Sequence, residues 1–198
     1  MNRPLHRYEI ALAKPGDLPR IAPIELAAAR LLTGHAPEGV LEEVTPAEVL
    51  QAAQREGRLC VALSDDAPVG FALVELLEPD AAHLEEIDVH PEHGRRGLGA
   101  RLVLEVCQWA ASNGYGAVTL TTFRDLPWNL PFYARLGFEV VATEHVSTPL
   151  RAIVEDETRR GLDPSRRVVM KRPGTSRSDA DLRRRSPDPA TVIRPRLS

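Results

Sequence analysis

Between residues 8 and 171 the chain alternates short apolar runs with amphipathic stretches, and this rhythm predicts its elements. Residues 8–13 read as a first strand. Gly16-Asp17-Leu18-Pro19 opens a helical stretch, rich in Ala and Leu, to about residue 32. Residues 33–44 carry Gly34, Pro37 and Gly39 and read as a loop. Thr45-Pro46-Ala47-Glu48 predicts a helix start, with Thr45 as cap, Pro46 at the first helical position and Glu48 completing a capping box. Gly57 ends that helix. Residues 59–63 and 69–77 form a hairpin about the turn at 64–68. Residues 82–89 predict a fourth strand, stopped by Pro91. From residue 97 to about 112, Leu98, Leu102, Val106, Trp109 and Ala110 recur at three- and four-residue spacing, the signature of an amphipathic helix. A fifth strand is expected at 118–122, a short helix at 129–136, a sixth strand at 138–146, a helix at 150–160 and a last strand at 167–171.

Strands and helices in this order predict an α+β (mixed α/β) fold around a largely antiparallel sheet of about seven strands. The fourth and fifth strands are joined through a helix, so that pair should be parallel, with a right-handed crossover. A length of 198 residues suits one domain with a tail. The domain is expected at 1–172 and a disordered basic tail at 173–198, where Pro, Ser, Arg and Asp dominate. The tail changes the reading of the formal net charge of −3. Residues 171–198 hold eight basic and three acidic residues, which leaves a distinctly acidic body. Such a body favours cationic partners, and amines are cations. Arg183-Arg184-Arg185 lacks interleaved aromatics, so no nucleic-acid partner is expected. The six histidines show no metal-ligand spacing, and Cys60 and Cys107, in apolar runs, read as reduced core residues. With neither a signal-type N-terminus nor a membrane-length apolar run, the expectation is a cytoplasmic protein with no membrane partner.

The sharpest local feature is Ile87-Asp88-Val89-His90-Pro91-Glu92-His93-Gly94-Arg95-Arg96-Gly97-Leu98-Gly99-Ala100: strand, turn, helix, with glycines where the helix begins. The first amides of a helix lack internal partners, and the helix dipole adds positive potential. Glycines let a diphosphate approach closely, and Arg95 and Arg96 add charge. A Walker loop is excluded because no Lys follows, and GxGxxG fails because Arg101-Leu102 follow Gly99-Ala100.

This segment resembles the acetyl-CoA motif of the GNAT superfamily of N-acetyltransferases. That motif reads V-x-P, then Arg/Gln-x-x-Gly-x-Gly/Ala. Val89-His90-Pro91 and Gly97-Leu98-Gly99 match it, and Gly94 departs from the usual Gln or Arg. Asn129-Leu130-Pro131-Phe132-Tyr133-Ala134-Arg135-Leu136-Gly137-Phe138 is similar to the family's N-x-x-F-Y-x-x-L-G-F segment. The resemblance implies helices on both sheet faces, a fourth strand splayed from the fifth, and acetyl-CoA as cosubstrate entering the gap. It implies pantetheine contacts from the backbone of Ile87, Asp88 and Val89, and pyrophosphate contacts from Gly94 to Ala100. Asn129 either bonds the pantetheine arm or caps its helix.

Acyl transfer to an amine requires loss of the amine proton, stabilisation of an oxyanion and protonation of the departing thiolate. The resemblance makes Tyr133 the acid. Residues at alternate strand positions share a face, which pairs His83 with Glu85 and Glu86 with Asp88. The resemblance makes Glu85 the first candidate base and His83 the second, with Glu86 the third. The backbone N–H of Val89 is the candidate oxyanion donor. Cys107, mid-helix among apolar residues, is a poor nucleophile. The expected acceptor is a primary amine of a small molecule or peptide. Transfer of another acyl group, or a non-catalytic acyl-CoA-sensing domain, stays open, as does a homodimer.

Overall fold

In the computed structural model, which describes residues 8–174, seven strands form one sheet: β1 (Tyr8–Leu12), β2 (Leu59–Ser64), β3 (Ala67–Glu78), β4 (Ala81–Val89), β5 (Ala117–Phe123), β6 (Glu139–Val140) and β7 (Arg167–Pro173). Their order is β1-β2-β3-β4-β5-β7-β6. Every pairing is antiparallel except β4 with β5. The helices are α1 (Ile21–Ala29), α2 (Glu38–Leu41), α3 (Ala47–Arg55), α4 (Leu98–Ser112), α5 (Leu130–Arg135) and α6 (Thr148–Arg159).

The amphipathic stripe of α4 does what its spacing predicts. Leu98, Leu102, Val103 and Val106 are buried against Cys60, Ala62, Val74, Leu84, Val118 and Leu120 on one sheet face. On the other face Ile21 and Ile24 of α1 and Leu50 and Ala53 of α3 pack with Leu59, Val61, Phe71 and Leu73. The sheet is thus apolar on both sides, as a sheet with helices on both faces must be. A third cluster joins Phe123, Leu126 and Leu162, with Leu32, Ala36 and Val40 packed against it.

Several boundaries differ from the sequence expectation. The first helical stretch is a 3-10 turn (Pro15–Arg20), then α1, then a second 3-10 turn (Arg30–Leu32). The expected loop at 33–44 contains α2. Thr45 does not cap α3; its N–H and hydroxyl donate to the carboxylate of Glu25, leaving Pro46 in the cap position. The sixth strand is only two residues long, because after Val141 the chain leaves β7 and turns at Thr143–His145. The last strand ends at Pro173, two residues past its expected end and one past the expected domain boundary at 172, and most of the expected tail lies outside the described residues. Both cysteines are free; Cys60 is buried and Cys107 half-buried.

Candidate active site

The parallel β4–β5 pairing covers only Ala81–Ala117, Ala82–Val118 and His83–Thr119. Beyond His83 the strands part: β4 pairs only with β3, and β5 only with β7. A wedge therefore opens between the C-terminal halves of two central strands. The His90 N–H donates to the Val69 carbonyl at 2.8 Å. Hydrogen-bonded pairs alternate along an antiparallel ladder. Val89 opposite Gly70 and Ile87 opposite Ala72 consequently turn their main-chain groups away from β3, into the wedge. Asp88, between them, turns its own towards β3.

The turn leaving β4 ends the wedge. His93 and Gly94 spend their N–H groups on the carbonyls of His90 and Pro91. Among the described residues no backbone acceptor meets the N–H groups from Arg95 to Ala100. The candidate anion cradle thus begins one residue later than Gly94. Gly97 sits at φ +76° just before α4, a conformation that costs a residue with a Cβ. Arg95 also has positive φ and is exposed, while Arg96 lies over the Tyr8 ring at 5.6 Å and donates to the Glu92 carbonyl.

β4 corrects the expected sharing of faces. Val74 pairs with Leu84 but Leu73 with Glu86, so Glu85 is an inserted residue, a β-bulge. The bulge resets the alternation. Ala82, Leu84, Ile87 and Val89 all pack on the α4 side. His83, Glu86 and Asp88 fall on the α1 side, and Glu85 stands alone at the bulge. It still reaches His83, with Oε2 3.6 Å from Nε2.

The electrostatics of this strand are those of carboxylates short of cations. Burial and then Glu75, Glu157 and Asp156 push the Glu85 carboxyl up to about 7, against the pull of Arg160. Its side chain nevertheless keeps 36% of its surface accessible, so it can meet a ligand. Burial, then Glu25 and Glu85, raise Glu86 to about 7. Burial, then Glu86 and Glu25, hold Asp88 well above the usual carboxylate range. His83 is buried, hydrogen-bonded through Nδ1 to the Thr119 hydroxyl at 3.0 Å, and lowered to about 4 by burial. At neutral pH it is a neutral imidazole and a weak base.

Tyr133 lies on α5, half-buried against Phe132 and Phe138. Burial first, then the charges of Glu86 and Asp88, raise its phenol above the ordinary value and keep it protonated. Asn129 precedes α5 but makes no capping side-chain bond, so its amide is not committed to that role.

α6 is tied to β5 and β7 through Glu157. Arg167 donates from Nε and Nη2 to the two oxygens of Glu157 at 2.9 and 2.5 Å. The Thr121 hydroxyl joins both. Both charged side chains are about nine-tenths buried. Removing one partner of such a pair strands the other charge, at a cost of about 3–5 kcal/mol. Arg167→Ala is therefore expected to lower the denaturant midpoint by that equivalent; an unchanged midpoint would refute the assignment of this pair as a structural tie.

The family model for the acetyltransferase (GNAT) family matches residues 27–138, more than half of the chain. The chain belongs to the GNAT family. Both resembling segments, at 87–100 and 129–138, lie within the matched range. A curated relative, glucosamine 6-phosphate N-acetyltransferase from Trypanosoma brucei brucei, is 36% identical over 56 residues, which are 28% of this chain and 36% of that protein. The match thus spans about a third of that relative's length. Among solved structures, PaiA N-acetyltransferase from Thermoplasma acidophilum in complex with coenzyme A superposes with a TM-score of 0.66 at 18% identity, over 84% of this chain and 99% of that one. A GNAT acetyltransferase from Brucella melitensis in complex with acetyl-CoA gives 0.52 at 22% identity, over 68% and 84%. These structures share the fold.

Glu86 and Asp88 lie within electrostatic reach of one another and of Tyr133, Glu85 lies within reach of Glu86, and His83 stands 3.6 Å from Glu85. Glu25, Glu43, Glu157, Arg160 and Arg167 were not singled out from the sequence. Glu25 left one signal, as the lone charge in the apolar run 21–29. Glu157 lies in α6 and Arg160 directly after it, in a mixed polar sequence with no pattern that distinguishes them; Glu43 precedes α3 and Arg167 opens β7, and neither stands out from its chain neighbours.

Proposed function

We propose that this chain transfers the acetyl group of acetyl-CoA directly to a primary amine of a small molecule or peptide, in a ternary complex, with Glu85 as base and Tyr133 as acid. The observation that carries this reading is the wedge between β4 and β5. It has the free amides of residues 95–100 at its mouth and the main chain of Ile87 and Val89 along one wall. Those groups fit an extended molecule with a diphosphate at one end and peptide-like amides along its arm. When bound, the thioester supplies the activated acetyl group.

Glu85 accepts a proton from the ammonium of the acceptor. The neutral nitrogen then bonds to the carbonyl carbon, and the Val89 N–H meets the negative charge developing on the carbonyl oxygen. Tyr133 donates its proton to the sulfur as the carbon–sulfur bond breaks. The products are an amide and free CoA; Glu85 returns its proton to solvent, from which the phenol recovers its own. His83 and Glu86 are the remaining base candidates, with His83 weakened by its low basicity. The acidic strand suits a cationic acceptor.

Calorimetry with CoA, and thiol release from acetyl-CoA over 1,4-diaminobutane, glucosamine 6-phosphate and a short alanine-terminated peptide, test the reading. CoA binding with turnover of at least one amine is expected. Reversing both Arg95 and Arg96 to Glu should weaken CoA binding at least tenfold, since each contributes about 1 kcal/mol or more near a diphosphate. Absence of heat with CoA would sink the proposal.

A further inference from the structure

Tyr8 opens β1, and its side chain packs on the α4 side of the sheet. From there it is fastened to the turn between β4 and α4. Its hydroxyl and His93 Nδ1 share a hydrogen bond at 3.0 Å, and the two rings meet edge to face with centroids 5.9 Å apart. The Arg96 guanidinium lies over its ring face at 5.6 Å. Its carbonyl accepts from both Nη1 and Nη2 of Arg101, each at 3.3 Å. The register makes this reach possible. Tyr8 pairs with Ser64, Ser64 with Ala67 across the hairpin, and Gly70 with Val89, so the start of β1 and the end of β4 lie at one end of the sheet.

These contacts bracket the segment whose amides lack backbone acceptors. His93 stands just before it, Arg96 near its start and Arg101 directly after Ala100. Arg96 has a second hold, from Nη2 to the Glu92 carbonyl at 3.2 Å. Leu98, buried in the core, anchors the segment from below. Arg95 at φ +54° and Gly97 at φ +76° are both left-handed. Such backbone persists, above all at a residue with a Cβ, where the surrounding structure over-determines it. We propose that Tyr8 is a positioning residue for the cosubstrate: it fastens this turn so that the amides of residues 95–100 and the Arg96 guanidinium stand ordered for a diphosphate before it arrives. This rests on the reading of the turn as the diphosphate cradle. A flexible guanidinium ordered only on binding costs affinity that a pre-ordered one keeps. The ring face attracts the Arg96 charge through its quadrupole. The hydroxyl holds, through His93, the 3-10 turn Pro91–His93 from which the cradle departs. Both act at the diphosphate end of the donor, not at its sulfur, so they bear on donor binding rather than on the transfer step.

Calorimetry with CoA on the full chain tests this. Tyr8→Leu should weaken CoA binding about tenfold, and Tyr8→Phe, which keeps the ring under Arg96 but loses the His93 bond, about threefold. With whichever amine of the panel turns over, the KM for acetyl-CoA should rise by the same factors while kcat stays near its wild-type value. Tyr8→Leu combined with Arg96→Gln should cost less than the product of the two single changes, because the ring acts through the guanidinium. S-acetylpantetheine, a donor without the diphosphate, should be used equally by the wild type and Tyr8→Leu. Wild-type CoA affinity in Tyr8→Leu, fully multiplicative losses in the double variant, or an equal deficit on S-acetylpantetheine would each overturn the proposal and leave Tyr8 a packing residue. If Tyr8→Leu gives no cooperative melt, Tyr8→Phe takes its place in the affinity and donor comparisons. If the wild type does not use S-acetylpantetheine, CoA affinity and the double variant decide. Absence of CoA binding from the wild type would instead indict the proposed function.

Discussion

Glu85→Gln is expected to lower kcat/KM about 100-fold at neutral pH, with CoA affinity unchanged. General-base removal typically costs 10²–10⁴-fold. The lower end applies because Glu86, with a carboxyl also raised to about 7, stands beside it as a partial substitute. The sign of the pH dependence follows from the protonation state that works. The base must be ionised, so wild-type kcat/KM should rise with pH through about 7, where burial and acidic neighbours place Glu85. An ordinary glutamate carboxylate would centre that rise at about 4.3. In Glu85→Gln the residual activity should follow Glu86, and Glu85→Gln with Glu86→Gln should abolish the limb. A profile that keeps its amplitude and midpoint in Glu85→Gln removes Glu85 from the mechanism. His83 is distinguished by the same curve: lowered to about 4, its titration would bring the rise near pH 4.

Tyr133→Phe should reduce kcat about 100-fold while leaving the calorimetric affinity for CoA within twofold. The phenol of Tyr133 stays protonated under burial and the charges of Glu86 and Asp88, so it is an acid with its proton in place. Its contribution is bounded from above by the leaving group, since a thiolate departs tolerably well unprotonated. That gives a second readout. The deficit of Tyr133→Phe should shrink when the acetyl donor carries a more acidic thiol, which needs less help in leaving. Equal deficits across donors, or unchanged turnover, would mean that Tyr133 merely packs between Phe132 and Phe138.

The parts of the site written in local sequence were legible without coordinates. The V-x-P turn, the glycines opening α4 and the Asn129–Phe138 segment depend on neighbours in the chain, and the apolar spacing of α4 placed its buried face correctly. The side-chain arrangement on β4 was not legible. Strict alternation assumes an unbroken ladder, and one inserted residue at Glu85 moved Glu86 and Asp88 to the face of His83. Thr45 shows a related limit: its sequence fits a cap, but Glu25, twenty positions away in the chain, takes its donors instead. The contacts of α6 are long-range in the same sense. Glu43 and Arg160 pair across 117 positions of chain, and Leu162 packs with Val40 and Ala36.

The parting of β4 and β5 places a sheet edge in the interior of the molecule. Edges normally lie at the perimeter, where charge, proline or shortness discourages stray pairing. β4 instead displays the main chain of Ile87 and Val89 inward, in the middle of seven strands. A guest that satisfies these groups acts as a surrogate strand, tying the two halves of the sheet together. If acetyl-CoA is that guest, as proposed, the resilience of the domain to unfolding is expected to rise and fall with its supply.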